Sequence, residues 1–440
     1  MFERILIARR GEVAARVART CKKLGVEAIA LHSDATDSVH VRACDRTCDV
    51  STNDGQVMAA EVLRCVKETG ADAVFPGYAS QRPGVELARL LEAEGLPFVG
   101  VDPDVLVTVG DRVAMREVAA RAEVPMVPGG SPDDFAAAQS LAEELGYPVV
   151  VKCAQASSGV GRHVARDPDE LSGAWHRAAG LAGDRRLVVE ALLERARDLE
   201  MLVASDSHGN TLPLIEMETS VLANGRGIIR ECPSPELVFA GEGEALREMM
   251  VDVAIRVARE LACVGVMSVQ MLITPERRLH VRGARLGIPA LHAVAERVIQ
   301  MDLVALQLEV ASGQALPEAV GFVQPHGHSV GAQILAAHDA QRAVAVENLV
   351  IPSDPRARLE LSVGVGQPAP PDDWPRLAKV TTSAPIRREA ALTLDRLLAG
   401  IHLDPLKTNL ALLRQVLQDE TFRAGHYDLS LVDRLQPVAS

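Results

Sequence analysis

Residues 4–31 read RILIARRGEVAARVARTCKKLGVEAIAL, and this stretch decides the fold class. Arg4–Ala8 is a short apolar strand. Gly11–Leu24 then sets Val13, Val17, Cys21 and Leu24 at helical spacing, and Glu27–Leu31 returns to a strand. The alternation continues with a helix over 56–69, a strand over 73–75, a helix over 84–94 and a strand over 97–99. Strands that alternate with helices predict a doubly wound parallel sheet, which binds ligands beyond the carboxyl ends of its strands.

From Asp111 the pattern changes. A helix over 112–122 leads into Pro125-Met-Val-Pro-Gly-Gly-Ser131 and a helix over 132–145. Strands follow over 148–153, 163–165, 187–193, 198–204 and 211–218, with a hairpin tip at Asp206-Ser-His-Gly-Asn210. A helix over 243–261 precedes strands over 265–273 and 278–281, and a proline-broken stretch over 314–325 reads as a linker.

Composition narrows the function. Of 440 residues, 48% are hydrophobic and 24% charged, so a folded chain of several domains is expected. The longest apolar run, Val264–Ile273, is far short of the ~18–20 residues of a membrane helix. The net charge of −13 argues against nucleic-acid binding. The first residues lack the basic head and apolar stretch of a signal peptide, so a cytoplasmic location is expected. The seven cysteines form no CxxC pair, and Cys44 and Cys48 lack partners for zinc, so free thiols in a reducing cytosol are expected.

Longer motifs carry a resemblance. Ile7-Ala-Arg-Arg-Gly-Glu-Val-Ala14, Phe75-Pro-Gly-Tyr78, Val109-Gly-Asp111, Val124–Gly129 and Gly146-Tyr-Pro-Val-Val-Val-Lys152 occur in order. Val310-Ala-Ser-Gly-Gln-Ala-Leu316, Gly327-His-Ser-Val330, Lys407-Thr-Asn409 and a closing Phe422–Leu431 follow. At this spacing the chain resembles the biotin carboxylases over nearly its whole length. The resemblance implies an α/β and α+β protein. A doubly wound N-terminal domain would span 1–110, an ATP-grasp core 111–313 with its lid at about 130–204, and a C-terminal biotin-carboxylase-type domain 326–435.

Such enzymes use magnesium-ATP to activate bicarbonate and then carboxylate biotin on a carrier protein. Magnesium demands hard oxygen ligands, phosphoryl transfer demands cations around the phosphates, and bicarbonate demands a base. The resemblance puts the metal ligands at Gln270, Arg282 and Ala284, where neither a neutral amide nor a cation can hold the ion. The bicarbonate arginine falls on Leu286, the base on Ala290, the phosphate lysine on Gly227 and the biotin arginine on Gln333.

Nucleotide positions fare better. Lys152, Arg112, Glu190, Glu200 and Leu272 match the family's ATP pocket, whose histidine has become Asp198. The glycine loop keeps Gly159 and Gly161. Arg282 and Arg285 read either as a structural ion-pair cluster or as an anion site, with Arg282 replacing the metal's charge.

Three functions compete. One is an inactive structural or regulatory subunit of an acetyl-CoA or other acyl-CoA carboxylase, in a hetero-oligomer with an active biotin carboxylase, a biotin carboxyl carrier protein or a carboxyltransferase. The changed two-fold surface supports it: Arg19 and Arg358 match interface arginines, but Lys23 replaces an acid. Another is an ATP-dependent ligase with new magnesium ligands at Glu216 or Glu218. The last is a sensor that binds ATP or ADP without hydrolysis.

Overall fold

The computed structural model describes residues 1–33, 38–53, 56–77, 82–155, 161–183, 186–239, 243–317, 323–336, 344–369 and 376–436. The opening alternation folds as expected. Strands β1 (Arg4–Ile7), β2 (Glu27–His32) and β3 (Arg46–Asp49) are followed by a short antiparallel pair, β4 (Thr52–Asn53) and β5 (Gln56–Val57), and then by β6 (Ala73–Phe75). Four of these form an all-parallel sheet in the order β3-β2-β1-β6. The chain winds outward from β1 in both directions, which makes the sheet doubly wound. The first helix, Gly11–Leu24, buries Ala14, Val17 and Cys21. It stops at Gly25, whose φ of 72° lets its amide close the last turn on Cys21 and Lys22. The helix read over 56–69 begins only at Ala59, because Gln56 and Val57 pair with β4. Residues 97–99 supply a single bridge between Phe98 and Val74 rather than a strand.

A small antiparallel sheet follows. It holds β7 (Gly129–Gly130), β8 (Val149–Cys153), β9 (Arg162–Ala165) and β10 (Leu187–Ala191) in the order β7-β10-β8-β9. Helices Phe135–Leu145 and Pro168–Leu181 pack on it through Ala138, Ala142, Leu171 and Ala174. The lid expected over 130–204 is shorter as a sheet. Residues 197–205 form β11 (Arg197–Ser205), which hydrogen-bonds into the next sheet instead.

That sheet has eight strands. After β11 come β12 (Thr211–Ala223), β13 (Arg226–Cys232), β14 (Gly265–Ile273), β15 (Leu279–Leu286) and β16 (His328–Leu335). β17 (Asn348–Val350) pairs apart with β20 (His402–Asp404), while β18 (Ala357–Leu361) and β19 (Arg376–Ala384) close the large sheet. Its order is β15-β14-β11-β12-β13-β16-β19-β18, so one sheet runs through the ATP-grasp segment and into the C-terminal segment. Among the described residues no helix is long and apolar enough to cross a membrane.

Buried ion pairs join these layers. Lys379 on β19, 1% exposed, meets Glu12 at 2.8 Å, Glu360 at 2.7 Å and the Ala290 carbonyl at 3.0 Å. Arg16 binds Glu296 and Asp302 at 2.8 and 2.7 Å. Arg19 and Arg358, the arginines matched to the family's two-fold surface, both bind Glu360, at 3.1 and 2.6 Å, and Arg19 stays half exposed. A second centre surrounds Glu231, which accepts from Arg387, His328 and Tyr427. Burial pushes the carboxyls of Glu12, Glu231 and Glu360 up, but the cations around them win and hold all three below the ordinary range. Burial pushes His292 down to about 4.

One cysteine expectation is corrected. Cys48 on β3 and Cys65 in helix Ala59–Thr69 are disulfide-bonded, with Cα atoms 6.0 Å apart. The helix returns across the sheet and lays Cys65 over β3, a closeness that 17 residues of sequence separation conceal. Cys21, Cys44, Cys153, Cys232 and Cys263 form no disulfide among the described residues.

Two outcomes follow for stability. Mass spectrometry of the unreduced protein should find the Cys48–Cys65 link, and Cys48→Ala with Cys65→Ala should cost the N-terminal sheet roughly 3 kcal/mol, the loop-closure value for that separation. Acid should unfold the protein in two stages. His292 binds its proton more readily when unfolded, so stability should begin to fall as pH drops below 6.5. Glu12, Glu231 and Glu360 add stability above the ordinary carboxyl value of 4.5 and lose it below, so the fall should steepen there in melts taken across pH.

Candidate functional site

The candidate cleft lies between the small sheet and one face of the large one. Residues paired directly across an antiparallel ladder share a face. Asp198 pairs with Leu272 and Glu200 with Gln270, so these four belong together. Ser268 pairs with Arg285 and brings β15 onto the same face. Arg282 sits at a bulge in that pairing and reaches Asp198 as a close ion pair.

Glu200 is the centre of this face. It is fully buried and receives Arg230 at 3.0 and 3.3 Å, Arg285 at 3.3 Å, and Gln270 and Ser268 at 3.4 Å each. Burial alone raises its carboxyl pKa, but Arg230 and Arg285 overcome that and hold it below the ordinary range. For Asp198 burial wins, and the carboxyl is pushed up to about 6 in spite of Arg282. Arg282 and Arg285 each engage a carboxylate through Nη1, and their side chains remain 33% and 35% exposed.

The opposite wall carries Lys152 on β8 and Glu190 on β10. Lys152 takes one oxygen of Glu190 and Arg116 the other, at 3.1 Å. Arg116 also binds the Val127 carbonyl at 3.1 Å and the Gly129 carbonyl. Gly129 is required here, since a Cβ would run into the Val189 carbonyl. Arg112 donates to the Cys153 carbonyl from the first turn of helix Arg112–Arg121, which Asp111 caps at 2.9 and 3.2 Å. Arg112, Lys152 and Arg162 are all lowered in pKa, first by burial and also by repulsion from Arg282, which places the two walls within electrostatic reach.

The remaining expected positions divide into two groups. Gln333 donates to the Gly227 carbonyl at 2.6 Å and accepts from Arg376 at 2.7 Å, which brings those two together. Arg376 in turn binds Glu12 at 2.8 Å. Leu286 is buried in the apolar core, with Ala284 packed against it from the edge. Ala290 contributes its carbonyl to Lys379. Gly161 is a turn residue with φ of 66°, and Gly159 lies outside the described residues.

The suggestion of new metal ligands at Glu216 and Glu218 is overturned. Glu218 pairs with Leu199 and Glu216 with Met201, so both point to the sheet face opposite Asp198 and Glu200. There Glu216 is clamped by Arg247 at 2.9 and 3.0 Å, and Glu218 by Arg197 at 2.8 and 3.1 Å. Among the described residues no three His, Cys, Asp or Glu side chains converge on a common point. Sequence reasoning missed Arg116 and Arg230. Arg116 lies one helical turn from Arg112, a visible signal; Arg230 follows Ile228 and Ile229 directly, a charge beside apolar residues that announces a buried partner without naming it.

Three layers and a cleft between two antiparallel sheets define an ATP-grasp protein. Residues 111–319 match the family model described as the carbamoyl-phosphate synthase L chain, ATP binding domain. Residues 1–106 match the biotin carboxylase N-terminal domain and 341–434 its C-terminal domain. A biotin carboxylase from Halalkalibacterium halodurans is 30% identical over 98% of this chain and 97% of its own length. The chain belongs to the biotin carboxylase family. The human mitochondrial propionyl-CoA carboxylase alpha chain is 29% identical over 99% of this chain, which spans 61% of it. The biotin carboxylase domain of Hydrogenobacter thermophilus 2-oxoglutarate carboxylase, solved with MgADP, ADP and bicarbonate, superposes with a TM-score of 0.91 at 26% identity, covering 99% of this chain and 98% of that one.

If Arg230 neutralises Glu200, Arg230→Met should lower stability by about 3–5 kcal/mol in urea unfolding, and Arg230→Met with Glu200→Leu should recover most of it.

Proposed function

We propose that this chain is a family member that no longer carboxylates biotin and acts as a structural or regulatory subunit of an acyl-CoA carboxylase assembly. The observation that carries the reading is Arg282 paired with Asp198 at a position where the family resemblance calls for a magnesium carboxylate. The donor set does not fit magnesium. Gln270 offers an amide already turned to Glu200, Ala284 offers nothing, and Asp198 and Glu200 each carry a guanidinium. A divalent ion beside Arg282 and Arg285 meets like charge instead of ligands.

The later steps lack their groups too. Ala290 has no side chain that could take a proton from bicarbonate, and Gln333, at the biotin arginine's position, is bound to Gly227 and Arg376. The carboxylase setting is supported by relatives that are alpha chains of larger enzymes, such as the methylcrotonoyl-CoA carboxylase subunit alpha of Dictyostelium discoideum. Active biotin carboxylase, biotin carrier or carboxyltransferase subunits are the partners this reading expects, in the cytoplasm. The three units it assigns are 1–110, 111–313 and 326–435.

The test is ADP release from magnesium-ATP with bicarbonate and free biotin. No release above a Lys152→Ala control is expected, together with co-purification of one of those subunits. Turnover that requires both bicarbonate and biotin would overturn the proposal.

A further inference from the structure

The cleft gathers more positive charge than its own carboxylates neutralise, in a chain whose net charge is −13. Arg112, Arg116, Lys152, Arg162, Arg282 and Arg285 stand against Glu190, Asp198 and Glu200, with Asp111, itself paired with Arg186, also acting on Arg112 and Asp433 on Arg162, and Glu200 is already shared with buried Arg230. The crowding is felt. Arg112, Lys152, Arg162 and Arg230 all lie below their ordinary pKa, through burial first and then through repulsion by Arg282 or Arg285.

An independent observation points to an anionic ligand. Arg230 is 4% exposed, and among the described residues its Nε has no hydrogen-bond partner. A Cβ built on Gly227 would stand 3.5 Å from that Nε, so the donor lies beside the space that the missing Gly227 side chain leaves. A buried guanidinium donor without an acceptor is costly unless a ligand supplies one. Asp198 Oδ1 is buried with no partner among the described residues and repels an anion, so a bound anion approaches from the side of the two exposed arginines.

We infer that this cleft binds the phosphate chain of a nucleoside di- or triphosphate as the metal-free anion, with Arg282 and Arg285 supplying the positive charge of the divalent ion. Two guanidinium groups carry the charge of one such ion. Their planar forks match phosphate oxygens, and each has used Nη1 alone on its carboxylate. The inference rests on reading the chain as a member that does not carboxylate. It separates this protein from a magnesium-nucleotide binder, because magnesium brought with the phosphates would add charge to a cleft already in excess.

The experiment is calorimetric titration of the full-length protein with ADP and, separately, with inorganic tripolyphosphate, each in EDTA and in excess magnesium. ADP should bind in EDTA, and magnesium should leave the Kd unchanged or weaken it. Arg285→Gln should weaken ADP about tenfold. Asp198→Asn with Arg282→Gln, which removes the pair together and strands no buried acid, should do the same while keeping the wild-type melting temperature. Tighter ADP binding with magnesium by tenfold or more would overturn the inference, as would silence in EDTA at millimolar ADP or an unchanged Kd in both variants. Tripolyphosphate binding with ADP silent would overturn the nucleotide assignment. ADP formed from ATP in parallel samples, dependent on bicarbonate and biotin, would instead overturn the proposed function and leave the binding result standing.

Discussion

A carboxylate taken out of water costs several kcal/mol unless a cation is buried with it, and this constraint orders the scaffold and the cleft alike. In the scaffold, Lys379 lies between Glu12 of the first helix and Glu360 of β18 while holding the Ala290 carbonyl. Three distant segments of chain therefore converge on one ammonium group. Removing it would leave two carboxylates facing each other in the interior. In the cleft the same demand is met around Glu200, where Arg230 arrives from β13 and Arg285 from β15.

The family's chemistry meets that demand with a metal, according to the resemblance. Here the charge is built into the chain. The pairing reaches across strands: Arg282 on β15 needs a counter-charge, and Asp198 provides it from β11. At a separation near 4 Å the Coulomb attraction of such a pair is about 4 kcal/mol at an effective dielectric constant of 20, and it offsets only part of the burial cost, since the Asp198 carboxyl still lies above its ordinary range. Gln270 fits the same logic, since an amide in place of a carboxylate avoids a further buried negative charge beside Glu200 and donates to it instead.

Much of this was legible in the sequence. Alternating periodicity gave the parallel N-terminal sheet, and the ordered motifs gave the family. What escaped depended on register. Glu216 and Glu218 read as ligand candidates because strand parity fixes only which residues share a face, not which face meets the cleft; pairing with Met201 and Leu199 turns them away. Arg230 was visible as a charge following Ile228 and Ile229, but its partner thirty residues upstream, two strands away across β12, was not. The Cys48–Cys65 bond escaped because it joins a strand to the helix that crosses back over it, a contact made by topology alone.

The scaffold and the cleft draw on different carboxylates. Glu12, Glu231, Glu296 and Glu360 satisfy Lys379, Arg16, Arg358 and Arg387, and none of them pairs with Arg112, Lys152, Arg282 or Arg285. Glu190, Asp198 and Glu200 serve the cleft alone. Arg376 holds Glu12 with one nitrogen and Gln333 with another. Because the ion pairs that hold the layers together are separate from those in the cleft, a change of charge in the cleft leaves the sheet order and the domain-joining network in place.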